Sequence, residues 1–108
     1  MAALLGTFEQ SVLLSILGLD DDAYGRAILN GVQQSLKRSV SAGAVYSTLD
    51  RLETSGLVKS RLAAGTAVRG GRARRYYTVS AAGRRALRET RQALTAIWKD
   101  VKLTAEGR

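Results

Sequence analysis

The apolar residues of this chain change period, and that change limits what it can fold into. Up to Leu52 they recur three and four positions apart. Between Leu57 and Val79 they alternate with polar residues, and beyond Ser80 the wider spacing returns. A period near 3.6 puts apolar side chains on one stripe of a helix, and a period of two puts them on one face of a strand. In the alternating part, Val58, Ser60 and Leu62 face one way and Leu57, Lys59 and Arg61 the other. Arg75, Tyr77 and Val79 likewise oppose Arg74, Tyr76 and Thr78. The turn-rich "AAGTAVRGG" between the two runs makes them a β-hairpin with a long glycine-rich tip. The order is helix, helix, helix, strand, strand, helix, and neither a proline nor a linker divides it.

The helices have readable ends. Thr7 and Gln10 form a capping box for a helix over 7–18, with Phe8, Val12, Leu13, Ile16 and Leu17 apolar. The run Asp20-Asp21-Asp22 reads as an exposed loop with Asp22 as the N-cap of a second helix over 23–37, where Tyr24, Ile28, Val32 and Leu36 share a face. Ser41 caps a third helix over 42–54, striped by Val45, Leu49 and Leu52 and stopped near Gly56. Opposite that stripe lie Gly43, Ser47, Asp50 and Arg51, with Tyr46 on its flank. Ser80 caps a fourth helix over 81–103, where Leu87, Thr90, Leu94, Ile97 and Val101 make a heptad seam with Trp98 beside it.

The expected fold class is α+β, mainly α: a winged helix-turn-helix of three helices plus a two-stranded β wing, with a long C-terminal dimerisation helix. The expected division is a DNA-binding unit over 1–79 and a dimerisation helix over 80–108.

Composition excludes several functions. Without cysteine or histidine, the usual zinc sites, disulfides and Ser-His or Cys-His nucleophilic pairs are ruled out. Adjacent aspartates point in different directions, so Asp20-Asp21-Asp22 is a poor metal site, and no phosphate-binding glycine motif occurs. No enzyme activity and no cofactor are expected. The apolar "ALLGTFEQSVLLSILGL" is interrupted by Glu9 and Gln10 and lacks a basic start. Neither a membrane span nor a secretory signal is expected, and a cytoplasmic location is.

Net charge is +8, unevenly placed. The first 36 residues hold four acids against the single base Arg26, and the rest hold sixteen bases against five acids. An excess confined to part of a small domain suggests a surface facing a polyanion. On the wing, Arg69, Arg72, Arg74 and Arg75 would neutralise phosphates or enter a minor groove, and the glycines let the backbone approach. On the third helix, Ser41 and Gly43 stand near the N-terminus, where backbone N–H groups can meet a phosphate. An alternative for Gly43 is crowding against the second helix. Tyr46 would pack its ring and reach a phosphate with its hydroxyl, Ser47 stands where base edges are read, and Arg51 suits a phosphate or an ion pair. Asp50, which phosphates would repel, either reads a cytosine amino group or pairs with a neighbouring arginine, and the pairing is the expectation. Leu87, Leu94, Ile97, Trp98 and Val101 are the expected dimer contacts. Trp98 has a second reading as a stacking surface for a planar ligand.

Two rivals remain. A winged-helix protein-interaction adaptor needs no phosphate-neutralising tip. A small RNA-binding protein usually displays aromatics on an open sheet, and Tyr76 alone points outward here.

"GAVYSTLDRLETSGLV" followed by "GGRARRYYTVSAAGRRAL" resembles the PadR family of bacterial transcriptional regulators. The matching residues are Gly43, Tyr46, Leu49, Leu52, Glu53, Gly56, Leu57 and Val58, then Gly71, Arg72, Tyr76, Tyr77, Ser80 and Gly83, with Tyr24-Gly25 upstream. Ser80 stands where the family carries threonine. The resemblance covers about residues 6–90. It implies a winged helix with a helical dimerisation region, a homodimeric repressor on a palindromic operator in double-stranded DNA, and release by a small molecule or a changed cellular state. Some short members take planar aromatic compounds at the dimer interface.

Overall fold

A computed structural model of the chain describes residues 4–63 and 73–104. Four helices and a two-stranded antiparallel sheet make up the fold: α1 Thr7–Leu19, α2 Gly25–Leu36, α3 Ala42–Thr54, β1 Val58–Ala63, β2 Arg74–Val79 and α4 Ala81–Trp98. This is the expected mainly helical winged-helix architecture. Among the described residues no helix is long and apolar enough to cross a membrane.

The core is made by the stripes that the spacing picks out. Val12, Leu13 and Ile16 of α1, Ile28 and Val32 of α2, and Val45, Leu49 and Leu52 of α3 are buried together with Val58, Tyr77 and Val79 of the sheet. Strand pairing runs from Val58 opposite Val79 to Ala63 opposite Arg74, so Tyr77 and Val79 turn inward while Arg74, Tyr76 and Thr78 turn out.

Four details differ from the sequence expectations. The N-cap of α1 is Gly6, with Thr7 already in the first turn. The Gly6 N–H donates to Glu9 Oε1 at 2.9 Å, and Gln10 Nε2 donates back to the carbonyls of Leu5 and Gly6. Asp22 does not cap α2: Asp20–Asp22 form a 3-10 turn, and Tyr24 is the extended cap residue. Tyr24 also forms a one-residue bridge with Tyr76, and the Tyr77 N–H donates to the Ala23 carbonyl at 2.9 Å. β2 therefore has a neighbour on each side. Finally, α4 stops at Trp98, five residues short of the expected end. Lys99 leaves the helical region and Asp100 has φ 63°, so Val101 lies beyond the helix.

The first turns of α4 are fastened to the body. Ser80 Oγ accepts from the Gly83 N–H at 3.0 Å and donates to the Gly56 carbonyl at 2.7 Å. Gly56 itself has φ +78°, a left-handed conformation that glycine adopts without penalty. A Cβ on Gly83 would lie 2.7 Å from Val79 Cγ1 and closer still to the Leu57 carbonyl oxygen. Thr90, buried on the same face, accepts from the Leu5 N–H at 3.0 Å.

Candidate nucleic-acid interface

Helix α3 begins with a serine cap, Ser41 Oγ accepting from the Ala44 N–H at 3.0 Å. It buries Val45, Thr48, Leu49 and Leu52 and leaves Gly43, Ser47, Asp50 and Arg51 in solvent. The polar face is thus presented outward by the same period that fills the core. A Cβ on Gly43 would meet only Ser41 Oγ, at 4.0 Å. Crowding against α2 does not explain that glycine. Arg51 Nη2 donates to the buried Thr48 Oγ1 at 3.1 Å, which orients the guanidinium along the helix. Among the described residues Asp50 makes no ion pair, so the expected pairing with an arginine is not found.

Two clefts flank the leading half of α3. One is lined by Tyr24, Gly25, Arg26, Tyr46, Ala73, Arg74, Arg75 and Tyr77. The other is lined by Phe8, Arg38, Ser39, Val40, Ser41, Ala44, Ser47, Thr48 and Arg51. Together they bring four arginines, Arg26, Arg38, Arg74 and Arg75, to the two sides of one exposed helix face that carries Arg51 itself, and no carboxylate lines either cleft among the described residues. Arg26 and Arg38 escaped the sequence reading. Arg26 is the only base of an acidic third of the chain, and Arg38 sits with Lys37 in the short α2–α3 turn, where no periodicity marks it.

Tyr46 is 45% exposed and stands at the mouth of the first cleft. Its ring lies against the start of α2, where a Cβ on Gly25 would come within 2.5 Å of Cε1 and nearer still to the hydroxyl. The bare glycine is what allows the ring to sit there. Beneath it, Tyr77 is buried, and its phenol pKa is raised above 10.0. Burial is the main cause, Asp50, Glu53 and Tyr46 add to it, and Arg75 opposes it.

The wing arginines divide. Arg74 lies with its guanidinium 4.2 Å over the Tyr24 ring. Arg75 Nη1 donates to Ser60 Oγ at 2.9 Å, and that hydroxyl donates to Glu53 Oε2 at 2.6 Å, joining both strands to the C-terminal turn of α3. Arg69 and Arg72 lie outside the described residues.

The seam of α4 divides as well. Leu87 packs partly buried on the core, whereas Leu94, Ile97, Trp98 and Val101 are 40–70% exposed.

The chain is similar to Transcriptional regulator Rv3488 of Mycobacterium tuberculosis, at 47% identity over 62 residues. That match covers 57% of this chain and 54% of the relative, so it spans about half the relative's length. It is also similar to the crystal structure of a PadR family transcription regulator from Clostridium difficile, with TM-score 0.67 and 30% identity over 87% of this chain and 93% of the other. The Aeropyrum pernix ORC1 protein, solved in complex with DNA, gives TM-score 0.63 and 25% identity over 85% of this chain and 26% of the other. The model of the transcriptional regulator PadR-like family matches residues 13–89, most of the chain. The chain belongs to the PadR-like family of transcriptional regulators.

Proposed function

We propose that this chain binds duplex DNA in the cytoplasm as a homodimer and represses transcription from an inverted-repeat operator. The observation that carries this reading is the exposed face of α3 set between two arginine-lined clefts. A helix that enters the major groove meets a phosphate chain on either side, and cations are needed in both places. Ser47 and Arg51 are proposed for the groove, with Ser41, Gly43 and Tyr46 at its phosphate edges. Arg74 and Arg75 are proposed to approach the backbone from the wing strand, and Arg69 and Arg72, between the two strands in sequence, to neutralise further phosphates. A structural neighbour, the Aeropyrum pernix ORC1 protein, is solved in complex with DNA, which supports the reading.

The unit over 1–79 would read DNA and the segment over 80–108 would pair two copies. Leu87, Leu94, Ile97, Trp98 and Val101 are the proposed dimer contacts, and exposure of the last four is what a partner copy would relieve. Trp98, 54% exposed near that contact, is also the proposed platform for a planar aromatic effector.

The test is fluorescence anisotropy on duplexes tiled across the DNA upstream of its own gene. Specific binding with a steep salt dependence is expected, because each neutralised phosphate releases counterions. Half-sites should be about 10 bp, or a multiple, apart if two recognition helices enter successive grooves. Equal affinity for every duplex, or a salt slope near zero, would rule the reading out. Transcription in vitro from the bound promoter separates repression from activation.

A further inference from the structure

Four side chains stack in a row on the outward face of the sheet. Tyr24 and Tyr76 meet edge to face, with ring centroids 5.8 Å apart and planes at 64°. The Arg74 guanidinium lies 4.2 Å over the Tyr24 ring, and the Arg61 guanidinium lies 5.0 Å over the Tyr76 ring. The row runs Arg74, Tyr24, Tyr76, Arg61. Strand register builds it: Arg61 stands opposite Tyr76 on β1, and Tyr24 stands opposite Tyr76 on the other side.

A guanidinium held over a ring by its charge still has an N–H edge to offer. That edge is the part that pairs with a phosphate. Among the described residues neither Arg61 nor Arg74 has an ion-pair partner, so both forks are unspent. Arg74 also lines the cleft beside Tyr46. The row therefore carries positive charge out of that cleft and across the sheet, away from α3. An arginine already held on a ring has less rotamer freedom to lose when it meets an anion.

We propose that Arg61 is a further contact to the DNA backbone, and that Tyr76 and Tyr24 are positioning residues that hold Arg61 and Arg74 for it. This rests on the DNA-binding reading above and extends its footprint beyond the wing tip and the recognition helix. Neither Arg61 nor the two rings has a role in that reading.

The experiment measures anisotropy against salt for the full chain on two labelled duplexes, one of random sequence and one from upstream of its gene. Arg61→Ala should weaken binding to both by about tenfold, and the magnitude of the log–log salt slope should fall by about one. Tyr76→Leu should lose part of the same affinity, and less of it in the Arg61→Ala background. Tyr76→Phe should restore it, because a phenyl face still receives the guanidinium; a ring needed only for folding would instead show its loss in thermal unfolding. An Arg61→Ala chain with wild-type affinity and slope overturns the proposal. So does Tyr76→Phe binding no better than Tyr76→Leu. Wild-type protein without salt-dependent duplex binding overturns the DNA reading itself, and the proposal with it.

Discussion

Gly25 and Gly83 look alike in the sequence, and their surroundings make them opposites. A Cβ on Gly25 would strike the far end of a half-exposed tyrosine, which can swing out. Gly25→Ala should therefore leave stability within about 1 kcal/mol, alanine being the better helix former. It should cost DNA affinity, because Tyr46 leaves the cleft mouth. On a Tyr46→Ala background the same substitution should be silent in binding, a non-additivity that a double-mutant cycle reads directly. Tyr77 gives a second residue-scale test. Its neutral phenol is favoured in the fold, so its contribution to stability is complete below about pH 10 and is lost as pH rises through the higher folded value. In an absorbance titration the Tyr77 phenol should ionise above about pH 10, and chemical denaturation should show stability falling only on the alkaline side. At this scale the sequence was partly legible. The period of α3 exposes Ser47 and Arg51 as expected, yet Arg26 and Arg38 become neighbours of α3 only through the packing of α2, which no spacing records. The cap of α1 was misplaced by one residue because Gly6 has no side chain to reveal the role, while Thr7 beside it has.

At the level of elements, Ser80 and Gly83 fix how α4 leaves the wing. A Cβ on Gly83 would press on a backbone carbonyl and on buried Val79, neither of which can move aside. Gly83→Ala should cost about 1–3 kcal/mol, as overpacking does, and thermal unfolding would register it as a lower Tm with DNA contacts untouched. Long elements were legible because α1, α2 and α3 each repeat their signal over several turns. The Tyr24 rung was not, because a single bridging residue has no period. That rung also corrects the argument against an aromatic sheet surface, since Tyr24 joins Tyr76 on the outward face. The end of α4 was overshot for a related reason: Val101 keeps the seam spacing, but a pattern of side chains is blind to the backbone turn at Asp100.

The whole chain is longer than a ball of its size. Its radius of gyration is 16.5 Å, against about 13 Å for a compact domain of about 100 residues. The first half of α4 is seated on the body, and its second half leaves Leu94, Ile97 and Trp98 uncovered. A truncation meant to test pairing should therefore spare Ala86, Leu87 and Thr90, which complete the body. Removing residues 93–108 should leave a folded monomer with weak operator binding, since single half-sites are then engaged one at a time. Sedimentation of the full and shortened chains at micromolar concentration checks this, and a full-length monomer would exclude the dimer. The sheet raises a different question of association. β2 has neighbours on both sides, whereas β1 pairs only with β2 among the described strands, so one row of its backbone N–H and C=O groups faces outward. An open edge of this kind can recruit a strand from another molecule and seed fibrils. Lys59 and Arg61, exposed along β1, are the charged gatekeepers that make such docking repulsive. An Arg61→Val chain should form thioflavin-positive aggregates on mild heating well before the wild type does.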